Sequence, residues 1–140
     1  MGLMVYSPLA MGFLTGKYTR ENSKPEGCRL SRGGLFSTDL LENEQCYTIV
    51  DQVIHLAEKY HAKPSQVAIA WLISKNYVST VIIGASSIEQ LQENLASMAL
   101  NLSDEDIKLL DDTFKPYTLY PNMLYHNMMD PIYASMQKSS

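Results

Sequence analysis

The residues best placed to do chemistry in this chain lie in Val78 to Asn94, VSTVIIGASSIEQLQEN. Val81, Ile82 and Ile83 form a β-branched run suited to a strand covered on both faces, and Gly84 lets the chain turn behind it without a Cβ penalty. Ser87 with Gln90 three positions later fits a capping box, and Ile88, Leu91, Leu95 and Met98 keep an apolar stripe at helical spacing. A strand that turns straight into a helix aims the helix's first amides back over the strand's carboxyl end. Those donors and the positive end of the helix dipole suit an anion. The same residues describe an ordinary strand and capped helix equally well, so this stretch alone leaves both readings open.

Other chemistry-bearing residues give less. His55 and His61 fall in and just after a predicted helix and His126 lies near the end of the chain; none has metal-ligand company, so no metal site is expected. Cys28 and Cys46 are far apart with no CxxC spacing, which favours a reduced, cytoplasmic setting over a disulfide framework. The chain has 140 residues, 46% hydrophobic and 19% charged, with a net charge of −4, and its lysines and arginines are not clustered. Nucleic acid is therefore not an expected partner. The apolar runs are too short and too interrupted for direct membrane insertion, and the N-terminus lacks a basic stretch followed by an apolar one.

Several elements must position the Val78–Asn94 stretch. Leu3 to Tyr6 reads as a short strand that Pro8 stops from extending. From Ala10 to Thr38 the glycines and charged residues follow no sustained period, which predicts a long surface excursion. Leu41, Cys46, Ile49, Val50, Val53, Ile54, Ala57 and Tyr60 recur at three and four, predicting an amphipathic helix between Thr38 and Tyr60. Pro64 suits a first helical position, and the nearly all-apolar Ser65 to Lys75 predicts a helix buried on most sides. Ser103, followed by Asp104, Glu105 and Asp106, starts a last helix whose stripe is Ile107, Leu110 and Phe114 and which Pro116 ends. The remainder, 117–140, rich in Tyr and Met, is expected to wrap on a surface or line a pocket.

The order is thus β, long loop, α, α, β, α, an α/β alternation. Two parallel strands with apolar faces cannot stand alone, because their outer edges present unpaired backbone groups. The (β/α)8 barrel, of about 250 residues, has a recurring phosphate site in the loops after its last two strands, where Tyr6-Ser7-Pro8 and Gly84-Ala85-Ser86 would fall. The expected fold is therefore α/β, the last two βα units of a TIM barrel (1–116, with a C-terminal helix) plus a tail (117–140). Together these make one C-terminal fragment of a single barrel domain.

The ordered motifs YSPLAMGFLTGKY at Tyr6 to Tyr18, PEGCR at Pro25 to Arg29, QVAIAWLI at Gln66 to Ile73 and VIIGASSIEQLQEN at Val81 to Asn94 make the chain resemble the C-terminal portion of an aldo-keto reductase. LSDEDIKLLD at Leu102 to Asp111 is similar to that family's penultimate helix. The branch most resembled includes bacterial reductases and the potassium-channel β subunits. The resemblance implies NADPH as cofactor. It places Tyr6 against the nicotinamide face, and Ser7, Pro8, Leu9, Ala10 and Met11 along the pyrophosphate. It puts Lys17 and Arg29 on the phosphates, with Arg29 the better match for the 2′-phosphate because a guanidinium fork suits it. Gly84 and Ser86 would receive the adenosine phosphate, and Gln90, Glu93 and Asn94 the ribose phosphate and adenine edge. Where kin commonly have Ser before this arginine, the chain has Cys28.

The resemblance further implies that the complete protein reduces a small-molecule aldehyde or ketone by hydride transfer. The family's acid–base group of Tyr, Lys, Asp and His comes from earlier barrel strands, so no catalytic residue is assigned on this chain, which alone is expected to be inactive. The same cofactor motifs fit an NADPH-binding regulatory subunit with little turnover. They also fit a truncated, non-catalytic remnant that self-associates or pairs with a separate barrel half.

Overall fold

The structure, a computed structural model, describes residues 2–28, 30 and 41–114. Arg29, the first residues of the expected Thr38–Tyr60 helix and the tail at 117–140 lie outside these. The described elements are strand β1 (Leu3–Val5), a 3-10 helix (Ala10–Thr15), α1 (Glu44–Lys59), α2 (Pro64–Ile73), strand β2 (Val78–Val81), α3 (Ile88–Ala96), a short 3-10 turn (Ser97–Ala99) and α4 (Asp104–Thr113).

The expected α/β order is present. β1 and β2 pair in parallel, Leu3 opposite Val78, Met4 opposite Thr80 and Val5 opposite Val81, with an irregularity between Leu3 and Met4. Strand β2 is centred earlier than expected: Ile82 still donates its amide to Val5 O at 2.9 Å, but Ile83 lies beyond the strand.

The segment after β1 departs from a plain surface excursion. Phe13, Leu14, Tyr18 and Leu30 are buried in a cluster with Leu41, Tyr47, Val50 and Ala68. Phe13 stacks on Tyr18 with ring centroids 5.7 Å apart and tilts against Tyr47 at 5.4 Å. The Tyr18 hydroxyl accepts the Leu30 amide at 3.0 Å, so a buried aromatic also satisfies loop backbone. Aromatic anchors, with no periodicity, give this loop its shape.

Helix α1 starts at Asn43, whose side chain accepts the Gln45 amide at 2.9 Å, and it buries Tyr47, Val50, Val53, Leu56 and Ala57. Val53, Leu56 and Ala57 meet Val67 of α2 and Leu110 of α4 in a second cluster. Helix α4 is tied to α1 by Asp106, which is buried. Its carboxylate takes Lys59 Nζ at 2.9 and 2.8 Å, the Ser103 hydroxyl at 2.9 Å and the Tyr60 hydroxyl, while Tyr60 accepts the Ser103 amide at 2.9 Å. The Lys59 ammonium, first among these donors, holds the Asp106 carboxyl below the usual carboxylate range. Trp71 of α2 stacks on Phe114 at 4.4 Å and donates its indole N–H to Asp111 at 2.7 Å.

The sheet differs from expectation in how it is covered, and α3 turns its polar side inward. Leu3, Met4 and Ile82 are exposed, so the strand pair is not enclosed on both faces by the described residues. On α3 the predicted apolar stripe, Ile88, Leu91, Leu95 and Met98, is 41% to 73% exposed, whereas Asn94 and, just past the helix end, Ser97 are buried. The segment is amphipathic as expected, but its polar side faces inward. An apolar stripe needs an apolar partner to bury it, and no described element stands on that side.

Candidate functional site

Four segments converge on a cleft of about 1080 Å³ outside the carboxyl ends of both strands. They are the exit of β1, the N-terminus of α2, the exit of β2 and the polar face of α3. Parallel βα units place ligands at this end because every strand exit and every following helix N-terminus opens there.

The exit of β1 is conformationally unusual. Ser7, Ala10 and Met11 have φ of 55°, 46° and 57°, followed by Gly12 at 90°. Left-handed backbone at residues with a Cβ costs on the order of 1 kcal/mol each and concentrates at functional sites. Local hydrogen bonds hold it: the Ala10 amide donates to Ser7 O at 3.0 Å, the Gly12 amide to Leu9 O at 2.8 Å and the Thr15 hydroxyl to Gly12 O at 2.7 Å. Tyr6 stands at the mouth, 82% exposed, with its ring free to be covered. Lys17 lines the cleft, its ammonium 5.5 Å from the Tyr18 ring centroid.

The exit of β2 carries the anion-type geometry. Ser87 caps α3 by accepting the Gln90 amide at 3.3 Å, which is half of the expected capping box. The other half is absent, because the Gln90 side chain turns to Ser86. Its Oε1 accepts from the Ser86 amide at 3.0 Å and from the Ser86 hydroxyl at 2.9 Å. Two donors thus converge on one oxygen at a helix N-terminus, as they would on an oxygen of a phosphate. Glu89, in the same first turn, lies below the usual carboxylate range through hydrogen bonds from its own amide and the Ser87 hydroxyl, so negative charge is favoured here.

Gly84 is not required by the turn. Its φ lies outside the left-handed region, and a Cβ there would meet nothing within 4 Å. The turn-making role expected from sequence is therefore corrected: the backbone would accept a side chain, and what a side chain would occupy is open cleft.

Glu93 and Asn94 follow on the same face of α3, and both line the cleft. Glu93 pairs with Lys63 at the start of α2, and Gln66 braces the junction by accepting the Lys63 amide at 2.8 Å and donating to Glu93 O at 3.1 Å. Tyr6, Ser7, Pro8, Leu9, Met11, Lys17, Gly84, Ser86, Gln90, Glu93 and Asn94, all singled out from sequence, line this one cleft, whereas Ala10 does not. Arg29 lies outside the described residues. Lys63, Ser65 and Thr15 also line it and were not singled out. The usable signal for Lys63 and Ser65 was Pro64, since the helix that leads directly into β2 runs opposite to it and so begins at the strands' carboxyl end.

The sequence profile of the aldo/keto reductase family matches residues 1–114. The chain belongs to the aldo/keto reductase family. It is 40% identical over 116 residues to a Schizosaccharomyces pombe protein named as a candidate β subunit of a voltage-gated potassium channel, covering 79% of this chain and 33% of the relative. It is also 40% identical over 115 residues to an uncharacterised oxidoreductase of Mycobacterium bovis, covering 82% of this chain and 34% of the relative. A Glycine max protein carrying an aldo-keto reductase name is 32% identical over 108 residues, covering 77% and 30%. The chain therefore spans about a third of the length of the curated relatives it matches. The family's fold is the (β/α)8 barrel, and the open strand pair and inward polar face of α3 are consistent with a piece of one. Among the described residues no group of three His, Cys, Asp or Glu could hold a metal, and no helix is long and apolar enough to cross a membrane.

Proposed function

We propose that this chain is the NADPH-binding part of an aldo-keto reductase whose complete form reduces an aldehyde or ketone. The observation that carries the reading is the convergence of the β1 exit, the Ser86–Gln90 cradle and the Glu93–Asn94 face on one cleft. A cleft of this volume lies just above the roughly 300–1,000 Å³ typical of small-molecule sites, room enough for a dinucleotide. When bound, the dinucleotide supplies the hydride.

The chain's own residues bind and orient. Tyr6 offers an exposed aromatic face against which a planar ring is held on one side. The loop from Ser7 to Met11, left-handed at Ser7, Ala10 and Met11, faces the cleft, with Lys17 as a cation beside it. The Ser86 amide and hydroxyl, now on Gln90 Oε1, are the donors a phosphate would take over, and Gln90 can then offer its amide N–H₂ instead. Proton delivery to a carbonyl is assigned to the Tyr, Lys, Asp and His group that the family places on earlier strands.

Titration of the full natural-length protein with NADPH tests this. Saturable binding and NADPH oxidation with an aldehyde are expected, and absence of binding refutes it. A second reading, a regulatory subunit that binds NADPH with little turnover, draws on the name of the fission-yeast relative. Binding without measurable oxidation across a panel of aldehydes and ketones would favour it.

A further inference from the structure

Among the described residues that line the cleft one side chain is a carboxylate, Glu93, and the structure pairs it with Lys63 at the start of α2. Glu93 lies three residues beyond Gln90 on the same helix face, one turn on, where the Cβ atoms of such neighbours stand about 5–6 Å apart, and both side chains line the cleft. A free carboxylate there would repel any phosphate the cradle accepts. Lys63 removes that repulsion. We infer that Lys63 is a specificity-determining residue for 2′-phosphorylated adenine nucleotides and acts by neutralising Glu93. This rests on the cofactor reading above, and it assigns a role to a residue that contacts Glu93 and need not contact the phosphate.

Two features separate this role from a structural one. The pair is partly solvent-exposed, 59% at Lys63 and 36% at Glu93, and ion pairs open to water add little to stability. The position of α2 against α3 is held independently by Gln66, through backbone groups that a change of the Lys63 side chain leaves in place. Removing the ammonium therefore changes charge in the cleft and leaves its walls standing.

The test is calorimetric titration of the full natural-length protein with 2′,5′-ADP and with 5′-AMP, which differ by the 2′-phosphate. Lys63→Met should weaken 2′,5′-ADP on the order of tenfold, the effect of one unpaired like charge about one helix turn away in a partly solvated cleft, and weaken 5′-AMP less. Lys63→Arg should retain the wild-type ratio of the two affinities. In Lys63→Met/Glu93→Gln the ratio should return to that of Glu93→Gln alone, because there is no longer a charge to neutralise. An unchanged ratio in Lys63→Met, or no recovery in the double variant, overturns the inference while wild-type binding leaves the cofactor reading standing. Failure of the wild-type protein to bind either nucleotide overturns both.

Discussion

Replacing Gly84 with alanine separates what the fold requires from what the ligand requires. Gly84 sits between β2 and α3 with φ outside the left-handed region, and a Cβ added there meets nothing within 4 Å. Alanine at such a position loses less chain entropy on folding than glycine, so Gly84→Ala should raise stability by about 0.4–1 kcal/mol. The new methyl points into open space beside Ser86, where the backbone is available for close approach by a phosphate. If that space belongs to the cofactor, NADPH affinity should fall by about 1–3 kcal/mol, the usual penalty for forcing a methyl into a packed contact, or roughly five- to 150-fold. Urea unfolding followed by circular dichroism gives the first quantity and calorimetric titration the second. Opposite signs are the expected result. A variant that is less stable than wild type by more than about 0.5 kcal/mol would show that the turn does need glycine. A more stable variant with unchanged NADPH affinity would show that no ligand approaches Gly84.

Gly12→Ala should behave in the opposite way: at φ 90° alanine is strained, and its Cβ would meet Lys17 Nζ at 3.1 Å and Cε at 3.2 Å, so unfolding free energy should drop by about 1–2 kcal/mol in the same urea assay. Asp106→Asn should cost about 2 kcal/mol at pH 7, because Lys59, Tyr60 and Ser103 all donate to a buried carboxylate. That advantage depends on pH with a defined sign. The folded pKa of Asp106 is depressed, so its contribution is complete above the ordinary value of 3.8 and is lost as pH falls through the lower folded value. The wild-type and Asn melting curves should therefore converge in strong acid and stay apart between pH 5 and 7. Leu91→Glu should cost less than about 0.5 kcal/mol if the α3 stripe is solvated and more than about 2 kcal/mol if a further apolar layer covers it in the full natural-length protein, where the family's barrel predicts the larger value.

Much of the site was legible because its residues sit at positions fixed by local rules. The Ser87 cap, the βα order and the motif from Tyr6 to Tyr18 were enough to bring residues some eighty positions apart to one cleft. Lys63 escaped because Pro64 marks only where α2 begins; its partner, Glu93, comes from the approach of α2 to α3. The loop after β1 was misread for a related reason. Phe13, Tyr18 and Leu30 are buried by contacts with α1 and with one another, which leave no period along the chain.

Helix α3 marks the boundary of what periodicity can say. A stripe of Ile88, Leu91, Leu95 and Met98 fixes which residues share a face, and the structure agrees that they do; it does not fix which face turns inward. Within these residues Glu93 fastens the inward face of α3 to α2 through Lys63 and Gln66, and the buried Ser97 hydroxyl is satisfied by Asn94 O at the end of α3. Ordinary burial would have turned the stripe inward, since each fully covered Leu or Ile adds about 1.5–3 kcal/mol. Here the stripe remains open, in a chain that spans about a third of its relatives' length, while polar groups are satisfied on the opposite side of the helix. The apolar side is then left free for further layers of the family's barrel, and the same helix can line a ligand site and close a core without either face being compromised.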